Sequence, residues 1–338
     1  MSMKVSFVVV ARNGAKTLEE LFACLDGQDY PHDAMELILV DGLSEDGTRR
    51  LMEAYAARCD FARAVVLDNP GRTLPCGWNV ALDAVQGEAV LRLDAHAWIP
   101  ADFVSRSVAA LEKGEDIAGG KVLSVPAGDD AWSAMLNRAE NSMFGGGFAA
   151  FRRADTPRYV STAAFAIYRK AVFDRVGRYN EALSRTEDNE MHYRMRQAGY
   201  RFFYDPAIVS RRKTRGSLRT LAKQKYQNGY WIGITLGVEP RCFSLYHFVP
   251  AAFVGAVLVT GGLALGGVRW PARLLWAAYG AADLVMTGAA LAGAENRSGW
   301  DLLLPLVFPA LHLSYGAGTL AGGVRMLTGK IRGRSAEK

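Results

Sequence analysis

Four short apolar runs open the chain: residues 5–11 (VSFVVVA), 36–41 (ELILVD), 64–67 (AVVL) and 89–94 (AVLRLD). Stretches with helical spacing separate them, at Thr17 to Leu25 with Thr17 as N-cap, Thr48 to Arg58 and Gly77 to Val85. Strands alternating with helices predict a parallel sheet with crossover helices, and strands this apolar are covered on both faces. Such sheets bind ligands outside the carboxyl ends of their strands. That rule selects Ala11-Arg12-Asn13, Asp41, Asp68 to Arg72 and Asp94-Ala95-His96. Further along, Val160 to Tyr168 is strand-like, and Asp188 to Ala198 predicts a helix with Gly199 just past its end. Arg201 to Tyr204 reads as another short strand. Asn141 to Ala150, with three consecutive glycines, suits a mobile loop or a site approached closely by ligand.

The pattern then changes. Phe248 to Val268 and Leu302 to Val324 carry no charge, and Leu274 to Ala294 is interrupted only by Asp283. A helix of about 21 residues spans roughly 31 Å, the thickness of a bilayer core. Three such runs leave too little polar surface to cover them in water, so this region is expected to be embedded in a membrane. Pro305 and Pro309 are expected to break the third run, which could then be re-entrant instead of spanning. Asp283 and His312 could pair across helices or lie at an interface.

Charge sharpens this division. The whole chain of 338 residues has a net charge of +6. Residues 1–206 hold 24 Lys+Arg and 29 Asp+Glu, a balance of −5, whereas 207–225 hold seven bases and no acid. The basicity is therefore a juxtamembrane band facing lipid headgroups, which places the N-terminal domain on the cytoplasmic side. A nucleic-acid role is excluded because residues 1–206 are net acidic and lack interleaved basic and aromatic residues. The four cysteines are scattered, without metal-ligand or disulfide spacing. The expected domains are 1–206 catalytic, 207–243 a basic interface segment, 244–325 the membrane region and 326–338 a basic tail.

Three carboxylate positions carry candidate chemistry. Asp41 could accept hydrogen bonds from a base or ribose, or serve a polar turn with Asp46 as a local cap. Asp94 and His96, at i and i+2 of a strand end, would project to one side. An oxygen and a nitrogen donor there can share a divalent cation beside a diphosphate, or simply form a turn. Asp188 could be a first-turn carboxylate favoured by the helix dipole, or a general base oriented by Glu187. No Ser-His-Asp, Cys-His or Walker pattern competes with this set.

The ordered motifs FVVVARN, VDGLSEDGT, LDAHAWIP, TEDNEM and QNGYW, covering residues 5 to about 231, resemble the inverting glycosyltransferases of family 2. The resemblance is to membrane-associated bacterial exopolysaccharide enzymes of the succinoglycan-biosynthesis type. It implies an α/β GT-A fold, Rossmann-like with a mostly parallel sheet, followed by helices in a bacterial inner membrane. It further implies that Ala11, Asn13 and Asp41 line a uridine pocket and that Arg72 approaches the nucleotide. Asp94 and His96 would hold Mn²⁺ or Mg²⁺, with Asp94 also facing the donor. Asp188 would be the base, and Glu187, Gln227 and Trp231 would line the acceptor groove. The implied reaction moves a hexose from a UDP-sugar, such as UDP-glucose, to a polyprenyl-diphosphate-linked saccharide. Membrane lipids and other polysaccharide-assembly proteins are the further partners it suggests. Direct transfer to polyprenyl phosphate and a catalytically silent scaffold are the alternatives. Three departures stand out: His96 replaces the second Asp of a DxD motif, Gly42 replaces a second Asp after Asp41, and Tyr230 takes the Arg place of QxxRW.

Overall fold

The computed structural model describes residues 2–146, 154–294 and 296–329. The chain forms two compact units, one from Met1–Leu123 with Ala150–Arg212 and the other from Ser124–Ala149 with Lys213–Lys338.

The first unit opens with β1 (Val5–Ala11), α1 (Ala15–Asp26), β2 (Met35–Asp41), α2 (Thr48–Ala56), β3 (Arg63–Asp68), α3 (Leu74–Ala84) and β4 (Ala89–Asp94). These match the four apolar runs and the helical stretches between them, except that α1 starts two residues early, with Gly14 and not Thr17 at its N-cap. β5 (Ala97–Trp98), α4 (Phe103–Glu112) and β6 (Ile117–Val125) follow, then α5 (Ala131–Asn141), which belongs to the second unit. The first unit resumes with β7 (Arg158–Val160), β8 (Ile167–Arg169), α6 (Lys170–Val176), α7 (Glu187–Gln197) and β9 (Phe202–Lys213).

Among the described residues, the sheet order is β3-β2-β1-β4-β8-β6-β9-β5, with β7 beside β9. β3, β2, β1 and β4 are parallel, as the alternation requires. Beyond β4 the sheet becomes mixed, since β8 runs antiparallel to β4 and β6, and β9 runs antiparallel to β5 and β7. Alternation sends Phe7, Val9, Leu37, Leu39 and Leu91 to one apolar layer and Val8, Val10, Ile38, Val40 and Val90 to the other. Both faces are thereby covered.

Two expectations need revision here. Val160 to Tyr168 is two short strands, because Phe165 adopts a left-handed φ of 50° between them. The strand expected over Arg201 to Tyr204 runs on to Lys213 as β9. Of the glycine-rich stretch, Asn141 closes α5 and Ser142 to Gly146 form a turn. Its residues 147–150 lie outside the described residues.

In the second unit, α8 (Leu218–Thr235) precedes α9 (Val249–Leu265), α10 (Trp270–Ala292) and α11 (Leu304–Leu327). The last three, with their flanking turns, are long and apolar enough to cross a membrane. Pro309 lies within a continuous α11 instead of breaking it; Pro305 sits in the first turn, where its missing N–H costs nothing. α8 and α11 run parallel with their backbones in contact: a Cβ on Gly318 would lie 2.1 Å from the Tyr226 carbonyl, and one on Gly322 2.0 Å from that of Tyr230. α5 docks by an Arg138–Asp301 ion pair and by Trp132 set edge-on to Trp300 at 5.2 Å. Asp283 and His312 do not pair. His312 meets the Tyr279 hydroxyl at 2.8 Å and the Phe144 carbonyl at 2.6 Å, while Asp283 reaches Thr287 one turn along its own helix.

Candidate active site

Parallel register aligns the strand ends. Ala11 lies opposite Asp41, Asp41 opposite Asp68, and Val10 opposite Asp94. Beyond these ends, Asn13, Leu43 and Arg72 follow β1, β2 and β3, each with a left-handed φ of 53° to 56°. Non-glycine residues held this way cluster where a fold shapes a ligand site. Here Asn13 latches the β1 end to the loop that follows Leu43. The Asn13 N–H donates to Ser44 Oγ at 2.9 Å, and the Glu45 N–H donates back to Asn13 Oδ1 at 2.9 Å. Gly14 adds a bond from its N–H to Thr48 Oγ1 at 2.8 Å. Asn13 therefore shapes the rim through its side chain.

Asp41 is only 2% exposed. Its Oδ2 accepts from the Ser44 N–H at 3.1 Å, whereas its buried Oδ1 has no partner. A buried acceptor without a partner is costly, a cost that a water or a ligand donor reaching it would relieve. Gly42 leaves space that the Arg12 side chain fills, its Cβ 2.9 Å from where a Gly42 Cβ would stand. Arg72 is exposed at the mouth of the β3 loop, its N–H bonded to the Asn69 carbonyl.

Asp94 ends β4, but His96 lies on the turn to β5, so the turn and not strand pleating brings them together. His96 Nε2 stands 4.0 Å from Asp94 Oδ2, and both side chains are partly exposed. Among the described residues no group of three or more His, Cys, Asp or Glu side chains converges as a metal cage. One oxygen and one nitrogen donor leave the other positions of a cation to diphosphate oxygens and water, the usual arrangement for ions shared with a substrate phosphate. The pair fits such an ion.

α7 begins at Glu187, one residue earlier than the pattern predicts, so Glu187 and Asp188 both stand in its first turn. Arg92, in the middle of β4 and 8% exposed, reaches Asp188 Oδ1 at 2.5 Å and the Tyr179 hydroxyl at 2.7 Å through Nη1. Its guanidinium lies over the Trp78 ring at 4.4 Å and near that of Tyr179 at 5.2 Å. Burial works to raise the Asp188 pKa, but the Arg92 charge, with help from His192, holds the carboxyl below its usual range. The Asp188 side chain keeps 39% of its surface exposed, and it is ready to accept a proton at neutral pH.

Glu187 behaves oppositely. It is 3% exposed with Oε2 unpartnered, and burial first, then the Asp188 charge, push its carboxyl from 4.5 up to about 8. The folded state therefore binds the Glu187 proton more tightly than the unfolded chain does. Its stabilising contribution is complete below about 4.5 and is lost as pH rises through about 8. We expect Glu187→Gln to melt higher than the parent protein at pH 8.5, with the gap closing towards pH 5. A gap independent of pH would contradict this. His192, bonded to Thr162 and Tyr168, is driven down to about 4 by burial and stays neutral above that pH.

Ala11, Asn13, Asp41, Arg72, Asp94, His96, Glu187 and Asp188 all belong to the first unit; Gln227 and Trp231 belong to α8 of the second. The latter two stand one turn apart and half-buried, next to Tyr226 and Tyr230, whose backbones abut α11. Sequence reasoning missed Arg92, Tyr179 and Trp78. The available signal was an arginine inside the apolar run AVLRLD, because a charge buried in a sheet requires a partner.

Asp41, Asp68 and Asp94 thus line the carboxyl ends of parallel strands, beside the Asn13 latch, where a sheet of this kind binds its ligand. The match to the family described as Glycosyl transferase family 2, over residues 6–177, covers just over half the chain, and the protein belongs to that family. It is 31% identical over 199 residues to the succinoglycan biosynthesis protein ExoA of Rhizobium meliloti (strain 1021), a match spanning 58% of this chain and 59% of that protein. A second relative is a dolichyl N-acetyl-alpha-D-glucosaminyl phosphate 3-beta-D-2,3-diacetamido-2,3-dideoxy-beta-D-glucuronosyltransferase of Methanococcus voltae. It is 20% identical over 76% of this chain and 82% of that protein. Among solved structures, the mannosyltransferase PcManGT of Pyrobaculum calidifontis, in complex with GDP-Man and Mn²⁺, has a TM-score of 0.57 at 21% identity. The similarity covers 98% of this chain and 88% of that one, and it establishes a common fold.

Proposed function

We propose that the protein is an inverting, metal-dependent hexosyltransferase that uses a UDP-sugar to extend a polyprenyl-diphosphate-linked saccharide for exopolysaccharide or cell-surface polysaccharide synthesis. The observation that carries this reading is the Arg92-bound, ionised Asp188 in the unit whose strand ends present Asp41 and Asp94. The open Oδ1 of Asp41 would accept the imide N–H of uracil, with Ala11 and the Asn13 latch shaping that pocket and Arg72 meeting the nucleotide. Asp94 and His96 would hold Mn²⁺ or Mg²⁺, which supplies charge neutralisation for the diphosphate when bound. Asp188 takes the proton of the acceptor hydroxyl as that oxygen forms its bond to the anomeric carbon. The bond from that carbon to the diphosphate breaks on the opposite face, and UDP leaves with the electron pair. An α-linked donor thus gives a β-linked product.

Glu187 would border the acceptor. Gln227 and Trp231 on α8 would contribute acceptor contacts. The exposed Leu258, Val259, Leu284 and Val285 on α9 and α10 support embedding of that unit in a bacterial inner membrane, with the catalytic unit facing the cytoplasm. A role in exopolysaccharide synthesis accords with the likeness to a succinoglycan biosynthesis protein. The name of the M. voltae relative favours a second reading, with a lipid monophosphate sugar as acceptor.

The ion claim has its own test. In calorimetric titration, His96→Ala is expected to weaken Mn²⁺-dependent UDP binding by about tenfold, a typical span for an altered metal site. Unchanged metal dependence would contradict the assignment of His96.

A further inference from the structure

Arg92 is a buried charge held by an ion pair, a hydroxyl and two aromatic rings, and the transfer step described above does not use it directly. It stands on β4, two residues before Asp94, yet its side chain turns towards α7. Nη1 is held at two points, by Asp188 Oδ1 at 2.5 Å and the Tyr179 hydroxyl at 2.7 Å, while Trp78 and Tyr179 flank the guanidinium plane. Tyr179 is itself fixed, because its N–H donates to Asn79 Oδ1 at 2.9 Å and its carbonyl accepts from Asn79 Nδ2 at 3.0 Å. A planar cation anchored in this way has few orientations to lose, so the carboxylate oxygen it grips is fixed as well.

We infer that Arg92 is a positioning residue for sugar transfer: it occupies Asp188 Oδ1 and thereby reserves Oδ2 for the acceptor hydroxyl. This rests on the reading of Asp188 as the base. The device also separates two adjacent carboxyls that would otherwise share one proton. The salt bridge keeps Asp188 ionised, while Glu187 beside it, buried with Oε2 unpartnered and outside the ion pair, retains the proton. The groups around Asp188 are Arg92 on β4, Tyr168 on β8, Tyr179 before α7, and Glu187 and His192 on α7 itself. Both tyrosines are protonated and His192 is neutral at pH 6 to 7, so Arg92 is the one cation in that set. Arginine serves here where lysine would not, since only a flat fork can stack on Trp78 while bonding sideways to two oxygens.

The test uses the full-length protein in detergent or nanodiscs, with UDP titration as the check on folding. Arg92→Met is expected to lower kcat by about 10–100-fold, a typical span for loss of catalytic orientation. The donor KM and the UDP affinity should stay within about twofold of the parent. The acid limb of the kcat profile should move up by about one pH unit or more, because Asp188 loses its cation. Arg92→Lys should fall between the two. A loss of kcat that is equal at every pH, or one expressed in donor KM, would overturn the inference. Where Arg92→Met fails to fold, Tyr179→Phe decides the matter, since it removes only the hydroxyl that braces Nη1. A kcat loss with the acid limb shifted upwards supports the inference, and an unchanged profile overturns it. Asp188→Asn is measured alongside: near-normal turnover there would refute the base assignment itself, a failure separable from that of Arg92.

Discussion

Asp188→Asn is expected to lower kcat by about 10²–10⁴-fold, the usual contribution of a positioned base, while leaving UDP affinity nearly unchanged. The amide keeps the shape of the carboxylate but cannot take the acceptor proton. It also removes the negative partner of Arg92, whose Nη1 keeps the Tyr179 hydroxyl as its other acceptor at 2.7 Å. The fold should survive, because Trp78 and Tyr179 continue to flank the guanidinium. Steady-state kinetics together with UDP calorimetry checks both halves of the expectation. Turnover within a few-fold of the parent would show that another group accepts the proton. Glu187, the adjacent carboxyl, would then be the first residue to examine.

The largest stability effect is expected in the helical unit. Gly229 and Gly233 of α8 face Gly318 and Gly322 of α11 so closely that a Cβ on any of them would lie 2.0 to 2.3 Å from a backbone carbonyl of the other helix. No rotamer change relieves such a clash; the helices must separate. In a membrane the packing of small residues is itself the attraction, because lipid chains are as apolar as the side chains they replace. Gly318→Leu is therefore expected to cost about 3 kcal/mol, at the upper end of overpacking penalties, and to lower the melting temperature in detergent by about 6 °C or more. Gly255 supplies the control. It lies on α9 with nothing within 4 Å of where its Cβ would stand, so Gly255→Ala should be neutral or slightly stabilising. Equal melting temperatures for the two variants would contradict the packing described.

The fold was largely legible because its first half follows a strong rule. Apolar runs separated by helical spacing have one compact solution, and β1, β2, β3 and β4 adopt it in register. The antiparallel half was harder to read. β8 is three residues long and β5 only two, so neither offers a periodic pattern, and β9 carries Pro206 and three basic residues in a row. The site was legible where chemistry sits at strand ends, as at Asp41 and Asp94. The link between Arg92 and Asp188 spans 96 positions and depends on how α7 returns to β4, which no local pattern encodes. Pro309 misled for a related reason. A proline is tolerated inside α11 because the surrounding helices hold the segment together, and local propensity yields to that packing.

The central claim is that Asp188 drives inverting transfer from a UDP-sugar. The most direct measurement is the anomeric configuration of the product, read by NMR after incubation with α-linked UDP-hexoses and polyprenyl-diphosphate-linked saccharides. The account predicts a single β-linked hexose added by the parent protein and at least about 100-fold slower addition by Asp188→Asn. An α-linked product, or transfer at a near-parental rate without the Asp188 carboxylate, would contradict it.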